Sequence, residues 1–212
     1  MSDELVFYTN PMSRGRIVRW MLEEIGVPYR TEILGYEDQM KAPAYLAINP
    51  MGKVPAIRHG DTVVTEGGAI CAYLADAFPE AGLAPKPGDR ARGPYFRWMF
   101  FAAGPVEAAV TDKMLGAVIP KERERAVGYG SFADVMNALE IAVGKSEYVA
   151  GDKFSAADVY FGSQIGWGVQ FGTLDKRPAF EPYWTRISSR PAAVRAREID
   201  DALIAAQPPA AS

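Results

Sequence analysis

The sequence predicts an α/β domain followed by an all-helical domain, and three observations support this fold class. Short apolar runs alternate with amphipathic segments over residues 1–78, as in a sheet with helices packed on it. Residues 79–94 contain four prolines and three glycines, which predict an extended linker. Apolar positions then recur at helical spacing over residues 95–206, before a low-complexity tail at 207–212.

The first three elements form a strand–helix–strand unit. Residues 5–8 are a short apolar run that ends at a turn-forming Asn-Pro pair, which is typical of a buried strand. Residues 13–25 place their apolar side chains on one face of a helix, and Gly26 is suited to end it. Residues 31–34 predict a second strand, which lies parallel to the first because a helix connects them.

A hairpin and a helix complete the first domain. Residues 56–59 and 62–64 flank a Gly-Asp pair, which is a signal for a hairpin turn between two strands. Residues 67–78 follow with apolar side chains at helical spacing and close the domain.

Five helical segments make up the second domain. They are predicted near residues 91–116, 121–144, 156–170, 180–189 and 192–206. Pro105 should kink or interrupt the first of them, because proline removes a backbone donor and clashes with the preceding turn. Ser155 and Asp158 have the spacing of a capping box, which predicts a helix that begins directly after Ser155.

Composition and charge exclude several classes of protein. The chain has 23 Lys and Arg residues against 26 Asp and Glu, a net charge of −3, so it lacks the cationic excess of a nucleic-acid or membrane-surface binder. Cys71 is the only cysteine and His59 the only histidine, which excludes an intrachain disulfide, a Cys-x-x-Cys redox pair and a His-rich metal site. The sequence shows neither a signal peptide nor an apolar run of about 18 residues, so we expect a cytoplasmic protein that uses no metal.

The turn YTNPMSR, residues 8–14, leads from the first strand into the first helix and is the first candidate site. The hydroxyl of Ser13 would face the unsatisfied N–H groups and the positive dipole end of that helix, where an anion is stabilised. The alternative is that Ser13 only caps the helix, since serine is a common capping residue.

Two further segments point to the same kind of site. In NPMGKVPAI, residues 49–57, a cis peptide before Pro55 would turn the Val54 backbone outward to pair with an extended ligand, whereas a trans proline would simply begin a strand. In TEGGAI, residues 65–70, the backbone N–H groups of Gly67 and Gly68 would bind a carboxylate and Glu66 an ammonium group. The alternative is that Glu66 only complements the helix dipole.

Taken together, these motifs resemble those of the cytosolic glutathione transferase family, over nearly the whole chain. The resemblance rests on GRIVRWMLEEIGVPY, INPMGKVPAI, TEGGAICAYLADAFPE, AGDKFSAADVY and WTRISSRPAAVRA, which occur in the order and spacing of that family. It implies a thioredoxin-like domain over residues 1–78 and an all-helical domain over 95–206 that lines an electrophile site. It is similar to the bacterial theta-like, zeta-like or beta-like branches, and it implies that Pro55 is cis.

The resemblance also implies how glutathione is bound. Val54 would hydrogen-bond the cysteinyl backbone of the tripeptide. Glu66 and the backbone at Gly67 would hold the γ-glutamyl end. Lys53 and Lys41 would approach the glycine carboxylate.

Two residues compete for the role of activating the thiol. Ser13 matches the thiol-activating serine of the theta-like and zeta-like members. An ungapped alignment with the tyrosine classes instead places Tyr8 on their catalytic tyrosine and Arg14 on a nearby arginine. The beta-like members use a cysteine in this turn, and this sequence has none there.

Gly67 is a departure from the family pattern, which has serine or threonine at this position. Glycine keeps the backbone N–H but drops the hydroxyl that contacts the γ-glutamyl carboxylate. One hydrogen bond to a charged group contributes ~1.5–3 kcal/mol, which is roughly tenfold to a hundredfold in affinity. We therefore expect glutathione to bind more weakly than is typical, unless another donor substitutes.

The second substrate is expected to be a small hydrophobic electrophile. Met12, Phe101 and Tyr160 are the candidate walls of its site, because methionine and aromatic side chains suit varied apolar ligands. The family resemblance further implies a homodimer.

Other functions on the same fold remain open from the sequence. A glutathione-dependent isomerase, dehalogenase or peroxide-reducing enzyme would use the same thiol site. A non-catalytic module for ligand binding or protein assembly would not need the thiol to be activated, and the missing hydroxyl at Gly67 is the feature that favours it.

Overall fold

The computed structural model describes residues 4–206, which form two compact units. The first unit comprises residues 4–81 together with 189–206, and the second comprises 82–188. The last helix therefore belongs to the first unit, whereas the sequence assigned it to the helical domain. The tail at 207–212 lies outside the described residues.

The first unit is built on a mixed four-stranded sheet. Its elements are β1 (Leu5–Thr9), α1 (Gly15–Ile25), β2 (Arg30–Ile33), α2 (Pro43–Leu46), β3 (Ala56–His59), β4 (Thr62–Thr65), α3 (Gly67–Ala77) and α9 (Pro191–Ala205). The strand order is β2-β1-β3-β4, with β1 parallel to β2 and the other pairs antiparallel. The parallel pair, the hairpin and the two long helices predicted for this domain are thus present, and the one-turn helix α2 is additional.

Helix α1 begins two residues later than predicted and ends where predicted. Residues 10–13 form a turn in which the Ser13 N–H donates to the Asn10 carbonyl at 3.0 Å, so regular helix begins only at Gly15. At the other end Gly26 adopts a φ of +69°, which glycine reaches without strain, and its N–H donates to Leu22 O at 3.1 Å.

Helix α9 is fixed to α1 by ion pairs. Arg19 on α1 and Asp200 on α9 are both buried, and Arg19 Nε lies 2.7 Å from Asp200 Oδ1. Arg190, just before α9, donates from Nε and Nη2 to the two carboxylate oxygens of Glu24 at 2.7 and 2.8 Å. These contacts explain why the last helix joins the first unit, and periodicity alone does not reveal them.

The second unit is helical throughout its regular elements. They are α4 (Arg92–Phe101), a π-helical segment (Ala102–Val106), α5 (Glu107–Leu115), a 3-10 segment (Lys121–Ala126), α6 (Phe132–Lys145), α7 (Ala156–Gln170) and α8 (Phe180–Ser188). Pro105 lies inside the π-helical segment, which confirms the interruption predicted there.

The helix predicted from residue 121 was wrong over its first eleven residues. Only a short 3-10 segment forms there, and α6 begins at Phe132 behind a capping box in which the Ser131 hydroxyl and Asp134 are hydrogen-bonded. Gly130, with a φ of +69°, separates the two segments and explains the break. The capping box predicted for α7 is confirmed, because the Ser155 N–H donates to Asp158 Oδ2 at 2.9 Å.

Candidate active site

The three candidate motifs of the first unit meet at one end of the sheet. Tyr8 on β1 is paired with Ala56 on β3, and Ala56 is paired with Thr65 on β4. Neighbouring strands lie ~4.8 Å apart, so the turn after β1, the residues before β3 and the residues after β4 lie within about 10 Å of one another. The sheet register thereby places the segments that carry Ser13, Val54 and Glu66 at the same end of the sheet.

Asn10 holds the turn between β1 and α1 in shape. Its side-chain Nδ2 donates to the Leu34 carbonyl and its Oδ1 accepts the Met12 N–H, both at 2.9 Å. Its own carbonyl accepts the Ser13 hydroxyl at 2.7 Å and the Ser13 N–H at 3.0 Å. A single buried asparagine therefore ties the turn to the end of β2 and orients Ser13. In the sequence, Asn10 is recognisable only as half of a turn-forming Asn-Pro pair.

The Ser13 hydroxyl is half-buried and makes two local hydrogen bonds. It donates to the Asn10 carbonyl at 2.7 Å and accepts the Gly15 N–H at 2.9 Å. The second contact resembles the capping alternative, because it satisfies an N–H at the start of α1. A hydroxyl has one proton, so donation to a thiolate requires it to rotate away from Asn10 while the Gly15 contact is kept.

Tyr8 occupies a different environment from Ser13. Its side chain belongs to a buried apolar cluster with Val6, Met40, Tyr45 and Ala56. The rings of Tyr8 and Tyr45 are tilted at 50° with their centroids 5.7 Å apart. Tyr8 thus packs on one face of the sheet, as part of its core.

A pair of side chains fixes the backbone just before β3. The Tyr45 hydroxyl and Asn49 Nδ2 both donate to the Lys53 carbonyl, at 2.7 and 2.8 Å. Burial raises the pKa of Tyr45 to about 12, so its phenol stays protonated and remains a donor at neutral pH. The next peptide, Val54-Pro55, is cis, as the family resemblance implied.

The segment that carries Lys53 is tightly packed at Gly52. Its φ is +57°, and a Cβ there would lie 2.6 Å from the Met40 carbonyl oxygen, so only glycine fits. Lys41 Nζ donates to the Met51 carbonyl at 3.0 Å, and both Lys41 and Lys53 are exposed. Lys41 precedes α2 and Lys53 follows it, and the bond from Lys41 to Met51 brings the two segments together near the cis peptide.

Glu66 joins β4 to α3 in an unusual backbone conformation. Its φ of +67° is rare for a residue with a side chain and costs about 1–3 kcal/mol. The Ile70 N–H donates to the Glu66 carbonyl at 2.8 Å, which closes the first turn of α3. The N–H groups at Gly67 and Gly68 have no partner within the helix, because they precede that first bond. The exposed Glu66 carboxylate lies beside them.

The other predicted residues are divided between the units. Met12 is exposed on the turn and Arg14 is exposed just before α1, both in the first unit. Phe101 ends α4 and packs edge-on against Trp98 with centroids 5.5 Å apart, while Tyr160 is buried on α7. The latter two belong to the second unit.

Among residues 4–206, no group of three or more His, Cys, Asp and Glu side chains is placed to hold a metal ion. No helix in that range combines the length and the apolar character needed to cross a bilayer.

A mixed four-stranded sheet with a cis-proline at the start of β3, followed by a helical unit, defines a thioredoxin-like domain joined to an all-helical domain. Residues 12–77 match the model of the glutathione S-transferase N-terminal domain, and residues 107–191 match that of the glutathione S-transferase C-terminal domain. The chain belongs to the glutathione S-transferase family. The fold class and the family predicted from the sequence motifs are confirmed.

Individual relatives agree with this placement. A probable glutathione S-transferase GSTF2 of Oryza sativa subsp. japonica is 30% identical over 188 residues, covering 81% of this chain and 85% of the relative. Glutathione S-transferase GstB of Escherichia coli K12 is 29% identical over 181 residues, covering 81% and 86%. A sphingomonad glutathione S-transferase solved with glutathione is 25% identical, covers 92% of this chain and 98% of that one, and gives a TM-score of 0.76.

Proposed function

We propose that this protein binds glutathione at the end of the sheet, lowers the pKa of its thiol and transfers the thiolate to small hydrophobic electrophiles. The observation that supports the proposal is the sheet register, by which the segments carrying Ser13, the cis Val54-Pro55 peptide and the start of α3 all lie at the same end of the sheet. The sphingomonad relative, whose structure contains glutathione, supports the choice of ligand.

The polar groups around this space match the two ends of the tripeptide. The Val54 backbone pairs with the cysteinyl residue, since it lies at the cis peptide where β3 begins. The Glu66 carboxylate binds the γ-glutamyl ammonium group, and the N–H of Gly67 binds the adjacent carboxylate. Lys41 and Lys53 provide the positive charge for the glycine carboxylate at the other end.

Ser13 is the donor that we propose for the thiolate. Its hydroxyl is half-buried at the helix terminus, whereas Tyr8 packs within the apolar cluster. A hydroxyl donor to an anion contributes ~1.5–3 kcal/mol and the helix terminus ~0.3–1 kcal/mol. Together they lower a free thiol pKa of ~8.5 by roughly 1.5–3 units, so much of the bound thiol is ionised at neutral pH.

The reaction then needs no further base. The thiolate sulfur forms a bond to an electrophilic carbon, and the leaving group departs with its electron pair. Met12, Phe101 and Tyr160 are proposed to contact the electrophile. A homodimer and a cytoplasmic location complete the proposal.

The proposal is tested by titrating the protein with glutathione in a calorimeter and following thiolate absorbance against pH. We expect binding with a thiol pKa below the free value, and a rise of at least one unit in Ser13→Ala. Tyr8→Phe should leave the thiol pKa nearly unchanged. Ser146→Ala, in the second unit, is the control for loss of a hydroxyl elsewhere.

Two results would contradict the proposal. A thiol pKa that rises in Tyr8→Phe and not in Ser13→Ala would assign the activation to the tyrosine. Failure to bind millimolar glutathione would exclude the proposed transferase activity and favour a ligand-binding or assembly role.

A further inference from the structure

Three hydrogen-bond donors converge on the main-chain carbonyl oxygen of Asn10. The Ser13 hydroxyl donates to it at 2.7 Å and the Ser13 N–H at 3.0 Å, while the Thr9 hydroxyl lies 3.4 Å away. A carbonyl oxygen has two lone pairs, so the two shorter bonds occupy them and the Thr9 hydroxyl is left with a long contact. The Asn10 carbonyl therefore has a third donor close by that it does not fully use.

Thr9 is held firmly at the end of β1. Its side chain is completely buried, and its main-chain carbonyl accepts the Leu34 N–H at 2.9 Å. Threonine is also stiff at χ1, because its β-carbon is branched. A buried hydroxyl costs free energy when it lacks a good partner, so a hydroxyl held 3.4 Å from its acceptor gains stability from a shorter bond.

Gly15 leaves the space that the Thr9 hydroxyl occupies. Gly15 is buried at the first position of α1, and a Cβ on it would overlap the Thr9 hydroxyl. The same Cβ would lie 3.0 Å from the Ser13 hydroxyl, so the two hydroxyls flank one point next to the Gly15 backbone. The Gly15 N–H donates to Ser13 Oγ at 2.9 Å, and this bond is kept while the hydroxyl proton of Ser13 changes direction.

The proposed thiol activation breaks one of the bonds to Asn10. When the Ser13 hydroxyl donates to the thiolate of glutathione, it no longer donates to the Asn10 carbonyl, because a hydroxyl has one proton. The carbonyl then keeps the Ser13 N–H and has one lone pair without a donor. Loss of a donor from a buried carbonyl costs free energy, and this cost opposes formation of the thiolate.

We propose that the Thr9 hydroxyl is a positioning group, which replaces the Ser13 hydroxyl on the Asn10 carbonyl when Ser13 turns to the thiolate. The inference rests on the proposed function, because it requires Ser13 to be the thiolate donor. A movement of about half an ångström brings the contact of 3.4 Å to an ordinary hydrogen-bond length. Thr9 keeps its proton throughout. Because its side chain is buried, it acts through Ser13 rather than on the ligand.

The test measures the thiol pKa of bound glutathione, from thiolate absorbance, in variants of the full-length protein. Thr9→Val removes the hydroxyl and keeps the shape of the side chain, and it should raise the thiol pKa by about half a unit to one unit. Thr9→Ser keeps a hydroxyl and should restore most of the parent value. Thr31→Val is the matched control, because the Thr31 hydroxyl also makes a 3.4 Å bond, with Arg19, and its loss should leave the thiol pKa unchanged.

Two further measurements separate positioning from a purely structural effect. In a Ser13→Ala background, Thr9→Val should not change the thiol pKa, because the hydroxyl that Thr9 assists is gone. The affinity for S-methylglutathione, which has no thiol proton, should change less than about twofold in Thr9→Val, because no thiolate forms.

The possible outcomes distinguish this inference from the proposed function. A rise in thiol pKa in Ser13→Ala without a rise in Thr9→Val overturns this inference alone. It is also overturned if Thr9→Ser raises the thiol pKa as much as Thr9→Val, if Thr9→Val acts equally without the Ser13 hydroxyl, or if it weakens S-methylglutathione binding strongly. A parent protein that leaves the thiol pKa at its free value overturns the proposed function and this inference together.

Discussion

The Tyr45 hydroxyl donates a hydrogen bond to the Lys53 carbonyl at 2.7 Å, directly before the cis Val54-Pro55 peptide. Asn49 donates to the same oxygen at 2.8 Å. The backbone proposed to pair with the cysteinyl residue of glutathione is therefore held by two side chains that hydrogen-bond the residue before it. Tyr45 and Asn49 act as positioning residues in this arrangement.

Tyr45→Phe removes one of these donors while keeping the ring in the apolar cluster. A hydrogen bond of this kind contributes ~0.5–1.5 kcal/mol, so glutathione affinity should fall about two- to tenfold. Calorimetry measures the change, and the thiol pKa of the bound glutathione should stay as in the parent protein. Tyr148→Phe, in the second unit, is the matched control. An affinity in Tyr45→Phe equal to that of the control would show that Asn49 alone suffices.

Gly67→Ser restores a hydroxyl at the start of α3. Gly67 lies in regular helix, so a serine is accommodated there without backbone strain. The new donor to the γ-glutamyl carboxylate should tighten glutathione binding by roughly tenfold or more. Ala69→Ser adds the same hydroxyl two residues further along, at an exposed position, and should have little effect. Equal binding in Gly67→Ser and the parent protein would mean that another donor already serves this carboxylate.

Asp200→Asn should destabilise the first unit strongly. Arg19 and Asp200 are both buried, so the substitution leaves a buried guanidinium without its counter-charge. Loss of one partner of such a pair costs about 3–5 kcal/mol of unfolding free energy, measurable by urea denaturation. Asp201→Asn weakens the neighbouring ion pair between Asp201 and Arg16. The Asp201 side chain is 57% exposed, so this substitution should cost less than about 1 kcal/mol of unfolding free energy. Similar losses of unfolding free energy in the two variants would contradict the conclusion that the buried pair contributes more than the exposed one.

Asp158 makes stability depend on pH in the acidic range. Burial raises its pKa to about 6 from 3.8, although the N–H groups of Val149 and Ser155 and the Tyr183 hydroxyl work in the opposite direction. A raised pKa means that the folded state binds the proton more tightly than the unfolded state does. The stabilisation is therefore full below about pH 4 and is lost as the pH rises through about 6.

The expected change is about 3 kcal/mol for a shift of roughly two units. It appears as the difference in unfolding free energy between the parent protein and Asp158→Asn, which should decrease from pH 4 to pH 6 and then level off. Taking the difference cancels the other titrating groups. A difference that increases with pH would show that the hydrogen bonds to the carboxylate outweigh its burial.

The sequence correctly predicted helix ends that are determined by residues close to them in the chain. Gly26 ends α1 and Ser155 caps α7 because each acts within a few residues of itself. The segment at 121–131 was predicted as the start of a long helix and forms only a short 3-10 segment. The spacing of apolar residues does not reveal that Gly130 has a positive φ, which interrupts the helix there.

The sequence predicted the motifs of the candidate site, and it did not predict the side chains that hold those motifs in position. Ser13, Pro55 and Glu66 each follow a strand or precede one, so their positions could be inferred from the order of the elements. Asn10 and Tyr45 act by contacting backbone atoms of other segments, and no periodicity or spacing encodes such contacts. These contacts depend on how the sheet and the segment before β3 bring distant residues together.

Because α9 packs against α1, the first unit cannot be isolated as one continuous fragment of the chain. Because residues 4–81 and 189–206 share one compact unit, residues 82–188 separate two parts of that unit in the sequence. A fragment ending at residue 81 would expose Arg19 without Asp200. Such a fragment should fold only when a peptide spanning 189–206 is supplied separately, as in fragment complementation.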